Sequence, residues 1–349
     1  MLFKLILNGL YFTGLQAVAA PFFRGMGGIL MLHHVRDERK APFSPNYHLS
    51  VSPSFLEQLI ISLKANGFDF ISMDEVSKRL SDPDAYQNAK PFVCMTLDDG
   101  YRDNLENAVP IFQKHNIPYL IYIAPGLTQA EAHLWWEDLE RIIAGRDSFY
   151  MELHGETREI DVSSDRQKND VYSQLMHYFM NEVDEQTQRK IMAEFSHTHS
   201  VDADGHVARE VMDWNVLTEL SRDPLCTFGA HTIGHFAVAK LDDTTLKYEL
   251  EQSRKIIEME TGQRVKHFAY PYGFPSVAGK REFKVAQDCG YETAVTTRHG
   301  VIYPAHRKHM TALPRISING NFQSSHYVKT LLSGVPTILN NKGKKLSVA

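Results

Sequence analysis

The sequence predicts an α/β protein built around a closed or nearly closed parallel barrel. Apolar strand-like runs alternate with helical stretches over most of the chain, the pattern of a parallel sheet with helical crossovers. At least six such runs occur, which favours closure over an open sheet. Polar residues follow four of them directly: His33 and His34 after "GGILML", Asp98 and Asp99 after "PFVCMTL", His231 and His235 after "LCTFGA", and Tyr270 and Tyr272 around the end of "VKHFAYP". The carboxyl ends of barrel strands are where such folds carry their chemistry.

Taken in order, residues 1–26 are an apolar, amphipathic segment interrupted by Asn8, Gly9, Thr13 and Gln16. They therefore lack the ~20 uninterrupted apolar residues of a membrane span. Leu2, Leu5, Ile6, Leu10, Phe12 and Leu15 suggest a helix with one apolar face. Three readings follow: a helix docked on the protein, a peripheral membrane contact, or an export signal, since "AVAA" imitates a signal-peptidase site. A cytoplasmic, membrane-associated location is the working expectation.

Next come "GGILMLHHV" as a strand and "SPSFLEQLIISLKANGF" as a helix with a Ser cap and a Gly stop. "FDFISM" reads as a strand, "DEVSKRL" as a helix and "PFVCMTL" as a strand. "DNLENAVPIFQKHNI" is a helix kinked or delayed by Pro110, and "PYLIYIAP" is another buried strand. From Leu134 to about Glu219 the alternation stops. Only "SFYMELHGETREIDV" alternates like a hairpin there, and "DVYSQLMHYFMNEVDEQTQRKIMAEF" is helical and charged. The expectation is a mainly helical insertion at about 134–210 that covers one rim of a catalytic domain spanning 27–320. Strands "LCTFGA", "VKHFAYP" and "YETAVTT" then alternate with helices "DTTLKYELEQSRKIIEMETG" and "REFKVAQDCG". Residues 321–349 are expected to form a helix and a basic tail, "NNKGKKLSVA", that frays.

Composition narrows the function classes. With 43% apolar and 23% charged residues the chain is an ordinary globular protein. A net charge of −5 argues against a general nucleic-acid binder, which would show a basic stripe. Three widely spaced cysteines form neither a disulfide framework nor a CxxC zinc site. Cys94 and Cys226, in strand-like runs, read as small buried thiols. Oligomeric state leaves no signature.

The chemistry concentrates in "MTLDDGYRDN" and "GAHTIGHF". Two adjacent carboxylates before a glycine make a turn, but once buried they need a compensating cation or donor. His231 and His235 stand four apart, so a helical turn would put them on one face, as a two-histidine metal site requires. One carboxylate of the pair completes three ligands with open positions, the usual form of a catalytic zinc. The second would act as general base on a metal-bound water.

Together, "TLDDGYRDN", "GAHTIGH" and "FAYPYG" resemble successive motifs of the polysaccharide deacetylases, carbohydrate esterase family 4 with the NodB homology domain. The resemblance covers about Gly27 to Ser317. It implies a distorted (β/α) barrel of seven strands that removes N-acetyl groups from amino sugars. It assigns Asp99, His231 and His235 to the metal, most simply Zn2+ with Co2+, Ni2+ or Mn2+ as alternatives, and Asp98 to the catalytic base. The Tyr272 backbone N–H would receive the oxyanion, and Thr232 would support the site. An N-acetylated glycan is the implied partner.

Two departures stand out. Tyr270 occupies the place of an arginine that in many members orients the base, and the late Leu-x-His is replaced by "LPRISI". Arg315 is therefore a candidate orienter of Asp98, with a surface ion pair as the alternative. Members acting on poly-N-acetylglucosamine-type polymers are similar in both respects and carry an early histidine motif, which "LMLHHV" matches with His33 as candidate general acid. His34 would then be a packing or rim residue. Trp135 and Trp136 line a sugar rim or pack the insertion, and Asp213 and Trp214 start a helix. His133, His197, His199, His299, His306 and His309 are expected to be solvated. The competing readings are an O-acetyl esterase, a hydrolase of a non-sugar amide, and an inactive carbohydrate-binding relative.

Overall fold

A computed structural model of the chain describes residues 2–153 and 155–348. Seven parallel strands form the barrel: β1 Gly27–Leu32, β2 Phe92–Leu97, β3 Tyr119–Ile123, β4 Cys226–Ala230, β5 His267–Ala269, β6 Thr293–His299 and β7 Leu313–Ser317. Each pairs in parallel with its neighbours, and β1 pairs with both β2 and β7, which closes the ring. These strands are apolar almost throughout because both faces are covered; β1 and β2 are buried at every residue. Alternate residues such as Ile29, Cys94, Leu120, Tyr122, Val295 and Leu313 share one apolar cluster. The intervening ones, including Leu30, Met95, Ile121 and Ile316, join the larger cluster with the surrounding helices. Cys94, Cys226 and Cys289 are free and buried.

"FDFISM" contributes only Asp69–Phe70, paired with the first residues of β2. Ser72 ends it by capping the helix Met73–Ser81, its side chain accepting from the Glu75 N–H. The regular α-helix starts late, at Val109 with Pro110 in its first turn, as expected. A wide π-type turn over Asn104–Ala108 leads into Val109–Lys114, which accommodates a residue that cannot donate into the preceding turn.

Between β3 and β4 lie helices Trp135–Ala144, Asp165–Asn181, Glu185–Thr198, Ala203–Glu210 and Trp214–Leu220. Ser148–Leu153 and Glu156–Asp161 pair as an antiparallel hairpin. The long charged helical stretch is two helices, because Asp184 caps the second through the Thr187 N–H. These elements build their own core from residues such as Leu139, Phe149, Phe179 and Phe195. The same cluster takes in Tyr101, Leu127 and Tyr272 from the barrel rim. The insertion thus roofs the carboxyl end of the strands.

The N-terminal stretch forms two helices, Leu2–Phe12 and Leu15–Phe23, bent by 92°. Among the described residues no single helix is long and apolar enough to cross a membrane. The apolar face behaves differently from a docking stripe. Leu7 is buried, whereas Leu2, Leu5, Ile6, Phe12 and Leu15 are exposed. At the other terminus, Leu346 and Val348 pack against the main core, so the tail does not fray as its polar composition suggested.

Candidate active site

The backbone explains the paired carboxylates. Asp98 still follows the strand, its N–H donating to Leu32 O at 3.0 Å. Asp99 and Gly100 then turn left-handed, at φ 70° and 72°, a region Asp and Gly enter at least cost. The two side chains consequently diverge. Asp98 meets Arg315 in a two-pronged ion pair, Nη1 and Nη2 donating to Oδ1 and Oδ2 at 2.7 Å each. Arg315 also donates from Nε to Thr296 O and from Nη1 to Thr96 Oγ1. It is 1% exposed, which excludes the surface ion pair as its setting. Burial alone would raise the Asp98 pKa, but the guanidinium holds it below the usual carboxylate range.

Asp99 Oδ1 lies 3.4 Å from His231 Nε2 and 3.2 Å from His235 Nε2. The HxxxH spacing does not act through a helix. Residues 231–237 are a loop in which Thr232 and His235 adopt φ of 57° and 56°, and these two reversals, rather than a helical turn, bring the rings together. Glu249 fixes the loop by accepting the N–H groups of Ile233 and Gly234 at 2.7 and 3.0 Å. Arg189, from the insertion, donates to Gly234 O. Thr232 Oγ1 accepts the Phe236 N–H. Neither Glu249 nor Arg189 is marked by any local motif; a buried glutamate inside an amphipathic helix was the only available signal.

The three side chains fit a divalent metal. His231 Nδ1 must carry its proton to donate to Ala269 O at 2.7 Å, which leaves Nε2 as a lone pair aimed at Asp99. Asp99 Oδ1 is buried without a well-aligned hydrogen bond. The ligand atoms of all three residues lie within 4.8 Å of one another. Bonds of ~2.0–2.1 Å in a tetrahedron put ligand atoms about 3.3–3.4 Å apart, close to both observed separations. Burial favours a neutral Asp99, and positive charge beside it, on the two imidazoles or on a cation held between them, brings its pKa well below the ordinary value. His235 is pushed down by burial.

A cavity of about 360 Å³ opens onto this cluster, lined by His33, Asp98, Asp99, His231, Trp136 and Tyr272 among others. Tyr272 has φ 60°, and its N–H has no hydrogen-bond partner among the described residues. Thr297 Oγ1 donates to its carbonyl at 2.7 Å. Trp136 reaches the cavity, its ring 4.9 Å from that of His235. Trp135 packs edge-on to Phe179 and donates to the Tyr272 hydroxyl. Tyr270 stays in the core, donating to Thr311 O. Asp213 caps its helix through the Val216 N–H.

His33 and His34 part company as successive residues should. His33 Nε2 is 3.8 Å from Asp98 Oδ2. Burial lowers its pKa despite both aspartates, so the resting imidazole is neutral at pH 7, not poised near 6.5. His34 points into a buried network that the sequence did not reveal: Nδ1 to Asp103 at 2.6 Å and Nε2 to Glu137 at 3.0 Å. Glu137, from the insertion, also accepts from Tyr101 and pairs with His206. Burial opposes the charge on His34, but the two carboxylates raise its pKa to about 9.

A group whose folded pKa exceeds its unfolded value of 6.5 contributes fully below pH 6.5 and loses that contribution as pH rises through 9. The contribution is about 3 kcal/mol. Urea unfolding at pH 6 and pH 9.5 should show this loss, and His34→Gln should flatten it. An equal slope in both proteins would remove the charge from His34.

The other histidines are less uniform than expected. His306 is fully buried, its Nδ1 accepting the Tyr303 N–H, with its pKa pushed down to about 4. His299 ends β6, and burial lowers it to about 4 as well. His199 packs against Phe195, while His197 is exposed and His133 pairs with Asp204.

Comparison with known proteins now bears on this geometry. The family model described as polysaccharide deacetylase matches residues 85–294, a span that holds both aspartates, both histidines and "FAYPYG" but neither His33 nor Arg315. Sequence comparison with curated proteins gives no match. Solved structures share the fold, among them these three. Streptococcus pyogenes deacetylase PplD, in complex with acetate, is 19% identical with a TM-score of 0.57, covering 87% of this chain and 97% of its own. IcaB from Ammonifex degensii is 16% identical with a TM-score of 0.54, over 88% and 98%. The de-N-acetylase from Aggregatibacter actinomycetemcomitans is 14% identical with a TM-score of 0.52, over 87% and 98%.

Proposed function

The chain belongs to the polysaccharide deacetylase family, and from that premise we propose that it hydrolyses the N-acetyl group of an amino sugar in a polysaccharide, oligosaccharide or glycolipid. The observation that carries the reading is the buried Asp99–His231–His235 cluster beside an Arg315-clamped Asp98, at the floor of one cavity. A divalent ion, Zn2+ in the first instance, would be held by Asp99, His231 and His235 and would supply Lewis acidity toward a carbonyl oxygen and water. Asp98 takes the proton of the attacking water, its carboxylate oriented by Arg315. The Tyr272 N–H faces the oxygen on which negative charge develops.

The leaving nitrogen needs a proton, and His33, 3.8 Å from Asp98, delivers it. Neutral at rest because burial depresses its pKa, His33 takes up the proton that Asp98 removed from the water and passes it to the nitrogen, which restores both side chains. His33→Ala should keep metal and lose most turnover. Wild-type rates in that variant would remove it from the mechanism.

Arg315→Ala should lower the rate partially, by about tenfold to a hundredfold, because the base loses its orientation. Without the guanidinium the burial effect on Asp98 loses its main opponent, so the acid limb of the pH–rate profile should move to higher pH. An unmoved limb would mean that Arg315 does not act through Asp98.

Substrate chemistry is tested by acetate release from N-acetylglucosamine oligomers against O-acetylated xylan. Release from the first but not the second supports de-N-acetylation; the reverse makes the protein an O-acetyl esterase.

A further inference from the structure

We propose that the two terminal segments together form a docking surface for the face of an anionic phospholipid bilayer, a property independent of the catalytic reading. Nine of the thirteen large apolar side chains left exposed among the described residues lie on helices Leu2–Phe12, Leu15–Phe23 and Val335–Asn340. Leu2, Phe12, Val18 and Phe22 are 72–76% exposed. Large exposed apolar side chains gathered on adjoining helices mark an interaction site.

The surface is held firmly. Leu7 is buried, Phe3 packs edge-on to Phe322, and His326 Nε2 bonds Asn8 Oδ1 at 2.9 Å. The helices are therefore fixed to the barrel by one side and bare on the other.

Charge selects the partner. Residues 1–26 and 320–349 contain six Lys and Arg and not one Asp or Glu, in a chain whose net charge is −5. Lys4, Arg24, Lys342, Lys344 and Lys345 are exposed. A second copy would bring the same cations against them, and like charges facing each other oppose association. An anionic lipid surface satisfies both halves of the pattern: apolar side chains enter the headgroup–acyl boundary while cations meet lipid phosphates and carboxylates. The 92° bend, with Leu7 committed to the protein core, suits helices lying in the interface rather than crossing it.

Co-sedimentation of the full chain with vesicles tests this. Binding should be strong to phosphatidylcholine vesicles containing about 30% phosphatidylserine, weak to phosphatidylcholine alone, and reduced by salt. Phe12→Glu/Val18→Glu/Phe22→Glu should lower binding by at least about tenfold. Lys4→Gln/Arg24→Gln/Lys344→Gln should abolish the preference for phosphatidylserine. Both variants alter exposed side chains, so circular dichroism and the rate on a soluble oligosaccharide should match wild type. Absence of binding to either vesicle, or undiminished binding by the apolar triple variant, would overturn the proposal. So would an apolar triple variant that dissociates a stable oligomer of a protein that ignores vesicles.

Discussion

Asp98→Asn should retain bound metal and lower kcat by about a hundredfold to ten-thousandfold, the range that loss of a positioned general base produces. The amide has the shape of the carboxylate but cannot take up a proton at neutral pH. Its oxygen can still accept from Arg315, while its NH2 faces the second guanidinium donor. Arg315 is thus left buried with half its pairing, and the melting temperature should fall too. Elemental analysis with steady-state kinetics separates the two effects. Full metal with near wild-type turnover would remove the base assignment.

The second large effect concerns the ligands. Asp99→Ala, His231→Ala and His235→Ala should each lose metal and essentially all activity. A three-ligand site with open positions has no ligand to spare. The fold should survive, because all three residues lie beyond the strand ends and outside the apolar clusters. Metal content at the wild-type level in all three variants would contradict the assignment.

The barrel was legible because each of its strands is a short apolar run bounded by polar residues. The seven-strand closure came from family resemblance, and pairing of β1 with β2 and β7 bears it out. Asp98, Asp99, His231 and His235 could be read from two motifs. The reason offered for the histidines was wrong in its local physics. Helical spacing and a loop with two left-handed residues bring i and i+4 together equally well, and sequence spacing cannot distinguish them.

The burial of Arg315 was beyond reach, since a lone arginine after a strand looks the same on a surface. Glu137, His206 and Asp103 around His34 were invisible for a similar reason. They come from segments 69 to 172 residues away, and only tertiary packing joins them. The exposed apolar face of the first helices ran against the ordinary rule that such a stripe turns inward.

The most direct measurement is acetate release from N-acetylglucosamine oligomers by the purified chain, before chelation, after chelation and after stoichiometric return of Zn2+. Release should stop when the metal is stripped and recover when it is restored in the wild type, but not in His231→Ala. Undiminished release from protein shown by elemental analysis to be metal-free would contradict a metal-dependent deacetylase.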